Sequence, residues 1–413
     1  MVRQLSRIKL LNQAMFYFLL VVYFILTTIF FYLAMEQGND GVSYQFSNND
    51  DGIFYWKQAH KVVAGDESAI ITSIYVLIIG NLIKITGIEN AFLIRFLNFL
   101  GVILLSVLSL KLIKLFSNTN PLDSQNKENI FYSGIFIYII YMCYASLLIN
   151  TTISIFRDIW IFSLYLLAIV LSCKVLFQKN ANSRILLIIF IIPVLWLLGE
   201  FRGYALVSFL LSTLIYFIYK RLKAKNKGLI LLCIIIFGIG FIYYTFFMNL
   251  KVPYINMSLN DALSYRHSAL ELSAGSQMWI RLNQPNFVYF IINYVHSYLG
   301  NLIGPLPWHI RGLSSMVIFI AESIPMTIIL IYLWRNRNTL TEVQRYVILH
   351  ALVWIGLIAI TNDNIGTATR LRAVGWILIL IVFAYNYLMN RRKKNNSNIL
   401  INKSMVEGRL IDA

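Results

Sequence analysis

Ten apolar runs, each too long and continuous for a soluble core, constrain this chain more than any other feature. They cover 14–34, 91–114, 131–149, 158–177, 185–199, 204–219, 228–248, 313–334, 346–361 and 373–389. A helix needs about 20 predominantly apolar residues to cross the hydrocarbon of a bilayer, and somewhat fewer inside a bundle. The runs lack the alternation of barrel strands. Only 13% of residues are charged, against roughly 25% in soluble domains, which excludes a soluble enzyme, a disordered chain and a disulfide scaffold. Cys143, Cys173 and Cys233 all sit inside apolar runs, so neither a disulfide framework nor a zinc cluster is expected. The expected fold is all-α: a polytopic membrane protein of about ten transmembrane helices, with juxtamembrane helices in its first outer loop. Residues 1–389 form one transmembrane domain, including outer loops at 35–90 and 249–312.

Charge orients the spans. The chain carries 35 Lys+Arg against 18 Asp+Glu, a net +17. In a soluble protein this would suggest nucleic acid; here basic residues mark cytoplasmic loops, and no nucleic-acid partner is expected. Arg3, Arg7 and Lys9 precede the first span, which reads as a retained signal-anchor with its N-terminus inside. With ten spans, and with Lys111, Lys114 and Lys174 counted at the inner ends of their helices, the inner side holds 23 basic and 5 acidic residues and the outer side 12 of each, leaving Glu322 within a span. Two further apolar stretches, 68–88 and 287–306, are placed in the outer leaflet without crossing. If 68–88 crossed alone, the basic run 220–227 would move outside and invert the orienting rule. Both termini are therefore expected in the cytoplasm of a cell-membrane protein. The basic tail 390–413 opens with Arg391-Arg392-Lys393-Lys394 at the anionic leaflet and should then be disordered.

The polar residues left over gather on the outer side. They comprise Asn48-Asn49-Asp50-Asp51, Arg157-Asp158, the turn Glu200-Phe201-Arg202-Gly203-Tyr204, scattered groups in 249–312, and Asn362-Asp363-Asn364 with Arg370 and Arg372. Outer arginines run against the orienting rule and need a reason. One is pairing with a neighbouring acid, Arg157 with Asp158 and Arg202 with Glu200. The other is a lipid-carried phosphate, which guanidinium binds bidentately. Residues 51–65 read as a short amphipathic surface helix. Ile53, Trp56, Ala59 and Val63 share a face widened by Tyr55 and Val62; Lys57, Gln58 and Lys61 lie opposite, and Gly65 is the stop. Asp50 or Asp51 then either caps the helix or offers a carboxylate that accepts a proton from an acceptor hydroxyl.

Asp51, Tyr55, Ala59, Val62 and Gly65, with Asp50 before them, followed by Tyr75 to Gly87 and by Arg95, Asn98 and Gly101, resemble the opening of the GT-C class of polytopic glycosyltransferases. The likeness is to the bacterial protein O-mannosyltransferase and aminoarabinose-transferase relatives, over about residues 10–115. The Pro-rich stretch usual in that class is replaced by Ala69 to Ser73, and the large soluble C-terminal domain of some members is absent. The resemblance implies Asp51 as catalytic base, with Asp50 as alternate. It also implies a sugar donor on a polyprenyl phosphate at the outer face. Arg157, Arg202, Arg370 and Arg372 would hold the lipid phosphate, supported by Asp158, Glu200, Tyr55 and Arg95. No cofactor is required; a divalent metal is compatible with the class, although no His/acid spacing here resembles a metal site. The acceptor, glycan or protein, stays open. An alternative is a repeat-unit polymerase or ligase of surface polysaccharide, resting on Arg202, Arg266, Arg281 and Arg370. A transporter would need ionisable groups near the midplane, for which Lys84, Glu322 and His350 are the candidates.

Overall fold

The computed structural model describes residues 2–44, 50–117, 124–177, 181–222, 228–271 and 276–411. The described residues are overwhelmingly helical, with three isolated β-bridges. Eight helices are long and apolar enough to cross a membrane: α1 (Val2–Glu36), α4 (Ala91–Phe116), α7 (Asp158–Phe177), α8 (Ala181–Phe201), α9 (Gly203–Leu222), the segment Leu313–Arg335, α15 (Glu342–Thr361) and the first half of α17 (Ala373–Ile411). A bent pair, α5 (Ser124–Cys143) and α6 (Ala145–Thr152), makes a ninth if counted as one span, and α10 (Gly228–Phe246) is a shorter apolar helix. These fall on the ten runs read from the sequence.

The bundle has two chemically distinct ends. At one, the distal end, α1 stops and α4 begins. Arg95, 2% exposed, there donates to the carbonyls of Gly41 (2.7 Å), Val42 (3.2 Å), Ile153 (3.0 Å) and Thr152, lashing α4 to the ends of α1 and α6. Its guanidinium is consumed by backbone, so Arg95 holds the fold together. At the opposite, basal end Asn12 donates to the Phe131 carbonyl (3.0 Å), and Arg392 reaches Glu128 (3.4 Å). The basic run 220–227 joins α9 to α10 at this end; its residues 223–227 lie outside the described residues. The tail does not become irregular after Met389: α17 continues as helix to Ile411. The stretch has no proline, and the good helix formers Leu, Met, Lys and Arg supply nine of the 22 residues 390–411.

Two breaks shape the distal end. The α5–α6 pair bends by 68° at Tyr144, whose ring stacks on Trp376 at 5.4 Å. The break frees amides at the start of α6, and Glu322 Oε1 accepts the Ser146 N–H at 2.7 Å. Glu322 lies in a π-helical turn, Phe319–Ser323, between α13 (Leu313–Ile318) and α14 (Ile324–Arg335). Its second oxygen takes Arg372 at 2.9 Å, and the Arg372 guanidinium sits 4.0 Å from the Trp376 ring centre. Glu322 is therefore a structural ion pair inside the bundle, the arrangement that makes a buried charge tolerable.

The two doubtful stretches are short helices on the distal side. α3 (Ile74–Thr86) has 13 residues, about 20 Å of helix, too little to cross. It packs on α2 (Asp51–Ala64), where Gly80 lets Val62 approach. α12 (Phe287–Ile303) bonds to α15 at Leu352, Gly356 and Ala359, all in the distal half of that helix. Gln58, expected on the outer face of α2, is instead buried, and its Oε1 accepts the Ile70 N–H (2.8 Å). Tyr55 and Trp56, expected at headgroup depth, are 5% and 8% exposed; Tyr55 packs edge-on against Tyr75. The face opposite the membrane was misjudged because α3 and its preceding loop cover it.

Candidate functional site: a carboxylate–guanidinium cluster at the distal end

Five charged side chains from four distant parts of the chain meet at the distal end. Asp51 opens α2. Its Oδ2 accepts from Arg370 Nη2 at 2.5 Å. Arg370 closes the short α16 (Ile365–Leu371), and its Nε lies 3.2 Å from Asp158 Oδ2. Asp158 opens α7, and its other oxygen takes Arg202 Nη1 at 3.4 Å. Arg202 stands in the corner between α8 and α9, and also donates to the Tyr204 hydroxyl at 2.9 Å. The pairs run Asp51–Arg370–Asp158–Arg202, spanning residues 51 to 370.

Arg157 completes the cluster and differs from the rest. Its guanidinium lies 5.5 Å from the Tyr55 ring centre. Among the described residues it pairs with no acid, and its buried Nε has no hydrogen-bond partner. Burial, and then the nearby Arg202 charge, pull the Arg157 pKa below its ordinary value. Burial alone would lower Arg370 too, but Asp158 and Asp51 outweigh it and hold that group above its ordinary value. Arg202 behaves likewise, with Tyr204 and Asp158 opposing burial. Three guanidiniums against two carboxylates leave one surplus positive charge, and it resides on Arg157. Arg157 and Asp158 are sequence neighbours, yet the acid serves Arg202 and Arg370. Arg202 turns away from Glu200, whose Oε1 accepts the Tyr254 hydroxyl (3.1 Å).

The two aspartates beginning α2 divide their work. Asp50 is the N-cap: Oδ1 accepts the Gly52 N–H (2.6 Å) and the Ser154 hydroxyl (3.2 Å), while Oδ2 accepts from Ser43. A Cβ at Gly52 would lie 2.1 Å from Ser154 Oγ, so only glycine lets α2 approach the 154–155 backbone. Asp51 is turned outward with a side chain 48% exposed. Both aspartates line a cavity of about 910 Å³, with Gly38, Asn39, Ile53 and Lys57. Asp51 Oδ1 has no partner among the described residues. Asn48 and Asn49 lie outside those residues.

The structure thus brings together Asp51, Arg157, Asp158, Arg202, Arg370 and Tyr55. Arg372 is fully buried, engaged with Glu322 and the Gly304 carbonyl. Arg372, Arg95, Asp50 and Glu200 all have structural partners elsewhere. The sequence reading places Tyr204 in the turn 200–204 but gives it no role; it joins the cluster by accepting from Arg202. Among the described residues no group of three or more His, Cys, Asp or Glu is arranged to hold a metal ion.

A second charged pair at this end is structural. Arg266, in α11 (Leu259–Glu271), donates to Asp363 Oδ1 (2.5 Å), to the carbonyls of Ile280 (3.0 Å), Ala359 (2.9 Å) and Asn362 (2.7 Å), and to Ser297 (3.0 Å). Asp363 in turn accepts the N–H groups of Trp279 (2.9 Å) and Ile280 (3.0 Å). The pair pins the segment 277–282 onto the end of α15, with Arg266 buried. No protein-family model, curated protein or solved structure matches the chain.

Proposed function

We propose that this protein is a membrane glycosyltransferase that takes a sugar from a polyprenyl phosphate at the outer face of the cell membrane, for cell-surface glycan assembly. The observation that carries the reading is the unneutralised Arg157 in the same cluster as the half-exposed carboxylate of Asp51. The one group suits an anionic leaving group, the other a proton. In the reaction the acceptor oxygen attacks the anomeric carbon and its proton passes to Asp51. The carbon–oxygen bond to the phosphate breaks, and the phosphate departs with the electron pair against Arg157. Arg370 fixes Asp51 through Oδ2, and Asp158 holds Arg370 and Arg202 in place.

Charge separates this from the polymerase or ligase reading. A sugar phosphodiester carries one negative charge, which the single surplus positive charge matches. A diphosphate-linked donor carries two. The transporter reading loses support because Glu322 is bound by Arg372 and Ser146, and His350 Nδ1 lies 3.1 Å from the Tyr165 hydroxyl.

Sealed vesicles test both chemistry and sidedness. A labelled sugar on a short-chain polyprenyl phosphate, added outside, should reach a product in right-side-out vesicles carrying the protein. Sealed inverted vesicles should leave it untouched. Equal transfer in both, or transfer only in inverted ones, refutes the assignment of the cluster to the outer face; no transfer in either refutes the donor.

A further inference from the structure

We infer that Trp279, Trp308 and Arg311 form a saccharide-binding ledge beside the charged cluster. The segment Gln277–Leu282 is irregular, with Met278, Ile280 and Leu282 buried and Trp279, Arg281 and Asn283 exposed. Trp279 is 44% exposed and sits at φ 62°, a conformation that costs a bulky residue energy and persists only where its surroundings impose it. They do so here: the Trp279 N–H is held by Asp363, itself locked by Arg266. The Arg311 guanidinium lies 5.6 Å from the Trp279 ring centre.

A second indole stands close by. Met278 and His309 both approach Gly300, and Arg311, whose guanidinium lies against Trp279, is three residues beyond Trp308, so the two indoles belong to neighbouring segments. Trp308 is 64% exposed, and its N–H donates to His296 Nε2 at 3.0 Å, which fixes the ring. His296 stacks on His309, which is 4% exposed. His309 Nδ1 accepts the Leu306 amide (3.4 Å), leaving Nε2 as a protonated donor with no partner. Burial holds the His309 pKa down to about 4, with His296 and Arg311 adding to the effect, so the ring is neutral at pH 7.

Flat indole faces beside an exposed guanidinium suit a pyranose, which has an apolar C–H face and a rim of hydroxyls. A headgroup anchor needs exposed tryptophan but no strained backbone held by a buried ion pair. The ledge connects to the charged cluster through Asp363, Asn364 and the single helix α16, which carries Arg370. Calling the ligand the acceptor rests on the transferase reading; the binding itself does not.

Saturation-transfer NMR on the full-length protein in nanodiscs tests this with tri- to hexasaccharides of glucose, mannose, N-acetylglucosamine and N-acetylmannosamine. At least one should bind, and Trp279→Ala or Trp308→Ala should weaken it about tenfold or more, as loss of an aromatic anchor does. Trp308→Phe should restore most of the binding. Trp279→Gly, which suits the backbone, should keep the fold and lose the sugar. Asp51→Asn should bind like the parent, which separates failure of the ledge from failure of the transferase reading. Binding by none of the sugars, or tryptophan variants equal to the parent, would overturn the inference. So would quenching of Trp279 and Trp308 fluorescence by brominated lipids to the full extent seen for a buried anchor.

Discussion

Asp51→Asn should lower sugar transfer by about 10²–10⁴-fold, the range that a positioned acid or base contributes, while donor binding changes little. The expectation follows from how the two aspartates at the start of α2 are used. Asp51 lines the cavity, with one oxygen held by Arg370 and the other without a partner among the described residues. Asparagine keeps the shape and can still accept from Arg370, but it cannot take up a proton. Asp50→Ala, by contrast, removes the cap on the Gly52 amide, and should show first as about 0.5–2 kcal/mol of lost stability. Measuring initial transfer rates in membranes beside the thermal stability of both purified variants separates the roles. If Asp50→Asn abolishes transfer and Asp51→Asn does not, the base has been assigned to the wrong residue.

Arg266→Ala should cost about 3–5 kcal/mol, because it leaves Asp363 as an uncompensated buried carboxylate. Both side chains of the pair are at most 3% exposed. Arg266 also ties α11 to the 277–282 segment and to the end of α15, so its loss should free that segment as well as lower the unfolding temperature. Limited proteolysis should then cut within 277–286 in the variant but not in the parent. Replacing both partners, Arg266→Met with Asp363→Leu, removes the stranded carboxylate but leaves the backbone groups of Trp279, Ile280, Ala359 and Asn362 without these partners, so it should recover only part of the stability. A single variant as stable and as protease-resistant as the parent would show that the pair is peripheral.

The spans were legible because hydrocarbon thickness fixes their length, and α7 begins and ends at the residues the sequence predicted. The start and stop of α2 were legible from Asp50, Asp51 and Gly65, a cap and a left-handed stop at φ 70°. That α3 stays on one side was legible from loop charge. The partners of individual charges were not. Arg157 and Asp158 are adjacent, yet a helix start splays them, and the acid goes to residues 44 and 212 positions away. Arg372 looked like a phosphate ligand by type and Arg95 like support for the site; their work is to satisfy carbonyls left bare where α6 and α12 end, which only tertiary packing reveals. The 68° break at Tyr144 left no proline or glycine in the sequence to mark it.

The central claim is that a spare positive charge on Arg157 receives a singly charged lipid phosphate. Calorimetry on the purified protein in nanodiscs can test it with methyl farnesyl phosphate, a diester that carries the phosphate and the prenyl chain without a sugar. The parent protein should bind it more tightly than methyl farnesyl diphosphate. Arg157→Gln should weaken diester binding about tenfold or more, in line with loss of one charge-assisted contact, while Asp51→Asn leaves it intact. Equal affinity in the parent and Arg157→Gln, or tighter binding of the diphosphate, would contradict the account.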